Sequence, residues 1–163
     1  MKLLFNARED LIKSVSITAL FFLMAIYVNA QAGNTAYDSH LADSLGADDY
    51  GMKMYVLVIL KSGSNKMEEK QKADSLFSGH LKNINRLAEA GKLVVAGPLK
   101  KNEKGYEGIF ILNVRTMEEA NRLLQTDPAI KAKLLDTELF QWYGSAALPL
   151  YLKFHNNVKK KDF

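Results

Sequence analysis

Residues 76–98, LFSGHLKNINRLAEAGKLVVAGP, carry a helix, a turn and a strand in one stretch. Placed at about 100° per residue, Leu76, Phe77, His80, Leu81, Ile84, Leu87 and Ala88 share one arc with Ala73. Lys72, Ser75, Ser78, Lys82, Asn85, Arg86 and Glu89 fall outside it. The spacing predicts an amphipathic helix over 67–90 with His80 on its apolar side. Gly91 stands where a left-handed C-cap ends a helix. LVVA at 93–96 then reads as a short buried strand that Gly97-Pro98 closes.

The flanks supply the rest of the domain. KMYVLVIL at 53–60 is β-branched, aromatic and continuously apolar, the composition of a strand covered on both faces. KSGSN at 61–65 ends it as a loop. Beyond the central stretch, KKNEKGY at 100–106 is a hairpin-type connection into a third strand, GIFILNV at 108–114. Thr116-Met117-Glu118-Glu119 predicts a reciprocal capping box. It opens a second helix with Met117, Ala120, Leu123 and Leu124 as its apolar stripe. Asp127-Pro128 starts a further helical turn, the aspartate as N-cap and the proline at N1. TELFQWY at 137–143 is the last strand.

The order βαββαβ predicts an α+β domain of ferredoxin-like arrangement over 53–144. Two crossover helices cover one face of a four-stranded sheet, yet the first and third strands are apolar on both. Tyr55, Leu57 and Ile59 oppose Met54, Val56, Val58 and Leu60, and Ile109 and Ile111 oppose Phe110, Leu112 and Val114. A bare second face exceeds the apolar patch a monomer ordinarily shows. Burying about 600 Å² of it per subunit contributes on the order of 15 kcal/mol before association costs. The expectation is a homodimer with sheets face to face, a dimeric α/β barrel.

Outside the domain, Lys2, Arg8 and Lys13 precede an apolar run, VSITALFFLMAIYV at 15–28, and then Val28-Asn29-Ala30. This predicts a signal peptide over 1–30, cut before Gln31. The alternative is a retained anchor, for which the run is shorter than the roughly 20 residues a span prefers. Cleavage leaves no stable membrane span and places the protein outside the cytoplasm, in a periplasm. Residues 31–52 are polar and small, a flexible leader in which His40 reads as solvated. Residues 145–163 form a C-terminal tail, with Leu148, Leu150, Tyr151, Leu152 and Phe154 ahead of Lys159-Lys160-Lys161. It is expected across a partner subunit or a pocket mouth, with His155 exposed.

Composition narrows the chemistry. Apolar residues are 48% of the 163, enough for a packed core, and the net charge is +4. The lysine run has no aromatic-and-basic motif beside it, so no nucleic-acid partner is expected. Zero cysteines excludes thiol catalysis and thiolate metal sites, and the three histidines lie well apart, so neither a metal nor a cofactor is expected. Gly-rich phosphate loops and Ser-His-Asp orderings are absent from the sequence.

Five elements in order, G-H-L-x-N-I-x-x-L, G-K-L-V-V-A-G-P, G-I-F-I-x-x-V, D-P-A-I-K-A and a closing strand with Trp142, resemble the YciI-like (YCII-related, DGPF-type) domain over 54–143. The resemblance implies a dimeric ferredoxin-like barrel with a cleft beside the first domain helix. It implies a family histidine at His80, and it places Gly97, Pro98 and Asp127 on the family's G-P and D-P positions. Acid–base chemistry by a histidine with a nearby aspartate is the activity implied. No carboxylate lies near Lys92 except Glu89, on the opposite side of the helix.

Imidazole exchanges a proton near neutral pH, so His80 beside a pocket suits general acid–base work. On the residues alone a structural, hydrogen-bonded histidine is the competing account. Asp127 reads first as an N-cap, with a second catalytic acid as the competing label, and Gly97-Pro98 reads first as strand-end geometry; a binding role at a pocket rim is the alternative for all three. Two functions stand side by side. One is a cofactor-free lyase or isomerase using His80 on a small-molecule substrate. The other is a non-catalytic module that binds a small ligand or a protein partner. Whether His80 meets an open space or is sealed by packing discriminates them.

Overall fold

The structure, a computed structural model, describes residues 34–161. The expected signal peptide lies outside the described residues. By its contacts the chain divides into two units, 1–39 and 40–163. Of the first, the described part is a turn in which Tyr37 N–H donates to Asn34 O at 3.0 Å. The second is the domain.

Its elements are α1 (Ser39–Leu45), β1 (Met52–Ser62), α2 (Lys70–Glu89), β2 (Leu93–Pro98), β3 (Tyr106–Leu112), α3 (Met117–Leu124), α4 (Pro128–Lys131) and β4 (Leu135–Ser145). A 3₁₀ turn (Leu148–Tyr151) and α5 (Leu152–Val158) follow. The strands form one antiparallel sheet in the order β2-β3-β1-β4. β1 lies between β3 and β4, and β3 separates β1 from β2, which is the ferredoxin-like pattern read from the sequence. Among the described residues no helix is long and apolar enough to cross a membrane.

Register explains the two faces, because cross-strand partners point the same way. Val56 pairs with Leu112 and Val58 with Phe110, and these side chains meet Leu87, Ala120, Leu124, Ala129 and Ile130 of the helices in the core. On the other face Leu57 pairs with Ile111 and with Phe140, and Ile59 with Ile109. These isoleucines and Leu57 are half-buried and Phe140 is 51% exposed, so the second face is apolar and only partly covered within one chain.

Several expectations meet a different local outcome. The 31–52 segment contains α1 and, after it, a turn at Asp48, whose carboxylate accepts from Tyr50 N and Met52 N at 3.0 Å each. Gly97-Pro98 does not close β2 from outside. Both residues belong to the strand, opposite Ile109 and Gly108. β2 is an edge strand, where a missing proline N–H costs no ladder bond. The capping box is half formed: Thr116 Oγ1 accepts from Glu119 N at 3.2 Å, while the Glu119 carboxylate turns to Lys92 Nζ at 3.0 Å. The tail returns to its own sheet, where the Tyr151 hydroxyl donates to Val94 O. Tyr55, fully buried, donates to Ser145 O at 2.8 Å and packs against Trp142.

Candidate active site

Helix α2 buries a narrow stripe, His80, Asn83 and Leu87. Phe77 and Leu81, placed on the apolar arc by their spacing, are instead 45% and 41% exposed. The helix is turned toward Asn83 because it leans on α4. The contact point is Gly79: a Cβ there would stand 2.6 Å from Pro128 Cγ. Only a residue without a side chain lets the two helices come this close. Gly91 ends α2 in the left-handed conformation, φ 65°, as its position predicts.

The close approach delivers an aspartate to the histidine. His80 Nδ1 lies 2.6 Å from Asp127 Oδ2, with the two side chains 10% and 1% exposed. Asp127 is also the N-cap of α4, its Oδ1 accepting from Ala129 N at 2.9 Å and Ile130 N at 3.4 Å. The two readings of Asp127 therefore describe two oxygens of one carboxylate. A carboxylate accepts and does not donate, so Nδ1 of the neutral ring carries the hydrogen and Nε2 keeps the lone pair.

Two aromatic rings and a polar chain hold this pair. Phe110 stacks on the His80 ring with centroids 5.9 Å apart and planes at 21°, and Phe77 meets it edge-on at 6.3 Å. Asn83 Nδ2 reaches Asp127 Oδ2 at 3.5 Å, a long contact. Its orientation is fixed from the other end, where Asn83 Oδ1 accepts from Arg86 Nη2 at 2.7 Å and Thr126 Oγ1 at 3.0 Å. Arg86 also donates to Thr126 Oγ1 at 2.7 Å. A buried amide this fully paired leaves one direction for its N–H. Asn83, Arg86 and Thr126 were not singled out by the sequence, where i, i+3 spacing from His80 was the available signal for Asn83.

Nε2 is the decisive atom. Among the described residues it has no hydrogen-bonding partner, since the ring's one polar contact is through Nδ1. Among the described residues no side-chain nitrogen or oxygen sealed from solvent lacks a partner, so Nε2 is not sealed from solvent. The ring is 8% exposed, held by packing with one polar atom open. Gly97 and Pro98 are not among its polar or ring partners. A cleft of about 260 Å³ lies elsewhere, at the start of β1 and the end of β3, and His80 does not line it. Among the described residues no three His, Asp or Glu side chains group as metal ligands.

A family model for the YCII-related domain matches residues 54–143, more than half of the chain. The chain belongs to the YCII-related domain family. No curated protein matches this YCII-related chain. Among solved structures it is similar to a 5-chloro-2-hydroxyhydroquinone dehydrochlorinase (TftG) from Burkholderia phenoliruptrix AC1100, in complex with 2,5-dihydroxybenzoquinone. That similarity has 19% identity and a TM-score of 0.40 and covers 53% of this chain and 92% of the other.

Proposed function

We propose that this YCII-related protein is a cofactor-free lyase or isomerase that moves a proton on a small molecule with His80. The observation that carries the reading is the pairing of His80 Nδ1 with Asp127 at 2.6 Å while Nε2 stays open to solvent. Nε2 takes a proton from a carbon made acidic by a neighbouring carbonyl. The electron pair released forms a carbon–carbon double bond: either a leaving group departs with its bonding electrons, or the carbonyl π pair moves onto its oxygen as an enolate, which then takes the proton back at another carbon. Asp127 fixes the ring's tautomer and stabilises the imidazolium formed in that step. Asn83 holds Asp127, and Phe110 and Phe77 hold the ring plane.

The protein acts as an exported homodimer. The support is the half-covered apolar face of Leu57, Ile59, Ile109, Ile111 and Phe140, which a second copy of itself covers by two-fold pairing. A second reading, ligand binding without turnover, is favoured by the depth of His80, more than nine-tenths buried. Screening small cyclic and carbonyl-bearing acids by thermal shift, followed by product analysis of each binder, decides between them. The enzyme reading expects conversion that falls about 10²–10⁴-fold in His80→Gln with binding retained. Unchanged turnover in His80→Gln overturns it.

A further inference from the structure

The cleft that His80 does not line has a chemistry of its own. Its walls include Lys53, Lys92 and Arg115 against a single carboxylate, Glu119. Glu119 is occupied by Lys92 at 3.0 Å. Among the described residues neither Lys53 nor Arg115 is in an ion pair, and Arg115 makes no hydrogen bond. Lys53 gives one N–H to Leu45 O at 2.9 Å and sits over the Tyr55 ring at 5.1 Å, which leaves donor capacity unused. Burial and then the charge of Arg115 hold the Lys53 ammonium below the usual lysine range, as expected of two cations facing one another without a counter-charge.

The geometry points to a binding site for a small oxyanion, a carboxylate or phosphate, held in this cleft by Lys53, Lys92 and Arg115. A guanidinium with its N–H fork free matches two oxygens of such an anion, and the ammonium of Lys53 adds a point charge beside it. The volume of about 260 Å³ suits an inorganic ion or a short dicarboxylate. The site is independent of the proton-transfer reading of His80, with which it shares no residue.

The test uses the full chain, inorganic phosphate and succinate as separate probes, and sodium chloride at matched ionic strength. At least one probe is expected to raise Tm saturably by roughly 2–4 °C beyond chloride. Its dissociation constant should weaken about tenfold or more in Arg115→Gln and in Lys53→Met, and stay unchanged in His80→Gln. Comparing the two probes tells a phosphate site from a carboxylate site. No saturable effect of either beyond chloride overturns the assignment, as does full affinity in both cleft variants or loss of binding in His80→Gln. Arg115 is exposed, so its variant folds even where Lys53→Met does not.

Discussion

Gly79→Ala is the sharpest perturbation of the site, because it adds one methyl group where no room exists. The new Cβ would stand 2.6 Å from Pro128 Cγ, whereas ordinary van der Waals contact begins at 3.4 Å. The obstacle is a proline ring closed on its own backbone nitrogen, whose one adjustment is a change of pucker; with the pucker kept, only the backbone can yield. Helices α2 and α4 must separate by the difference, 0.8 Å. Applied to the 2.6 Å between His80 Nδ1 and Asp127 Oδ2, the same displacement takes that pair to about 3.4 Å, beyond good hydrogen-bond length. Overpacking costs about 1–3 kcal/mol and the weakened charged hydrogen bond about 1.5–3 kcal/mol. The better helix propensity of alanine returns about 1 kcal/mol. A net loss of about 1.5–5 kcal/mol follows. Urea denaturation measures it, and the exchange rate of the imidazole Nδ1–H, followed by NMR, should rise in parallel. A variant as stable as the parent, or more so, with the Nδ1–H unchanged, refutes the claim that Gly79 sets the distance.

Asp127→Asn turns an amide N–H toward Nδ1 and reverses the ring tautomer; any turnover found should fall about 10²–10⁴-fold, and unchanged turnover contradicts the pairing. Asn83→Leu removes the amide between Asp127 and Arg86, while Arg86 keeps Thr126 Oγ1 and Thr126 keeps Leu123 O at 2.6 Å. The loss in urea should therefore be about 0.5–1.5 kcal/mol, the net hydrogen bonding of one buried amide, and no loss contradicts a structural role for the amide. Tyr143 is pushed up to about 12 by its hydrogen bond to Asp48. The contact therefore stabilises the fold below the tyrosine value of 10.0 and is lost as pH rises through about 12. Asp48, lowered by the same bond, contributes above its ordinary 3.8 and loses that contribution in acid. Burial also raises Tyr55 and Tyr151, so ultraviolet titration should show a late-titrating group of phenols that is smaller by one in Tyr143→Phe; an unchanged late amplitude in that variant contradicts the assignment. Sedimentation at micromolar concentration should find a dimer that Phe140→Glu splits, and a monomeric parent contradicts the face-to-face assembly.

Local pattern carried the fold further than it carried the site. Each strand of the sheet announces itself by composition, and the apolar run of β1 foretold a second greasy face that the register then displays. Asp127 was legible as an N-cap because capping depends on its own next residues. Its contact with His80 was not legible, for the two residues are 47 positions apart and meet through Gly79 and Pro128. A helical wheel centred on apolar side chains also missed the tilt of α2, which buries Asn83 and exposes Phe77 and Leu81. An asparagine so placed is tolerated because Arg86, Thr126 and Asp127 pair its amide. Gly97-Pro98 read as the end of β2, and the strand does end at Pro98; what the sequence hid is that both residues still pair with β3, which the position of β2 at the sheet edge allows.

The proton's address on one imidazole is the point on which the functional account turns. Two-bond ¹H–¹⁵N correlation of His80 at about pH 9, above the ordinary histidine range, reads it directly. Hydrogen on Nδ1 with an unprotonated, solvent-exchanging Nε2 is the predicted pattern, and hydrogen on Nε2 with a bare Nδ1 would contradict it.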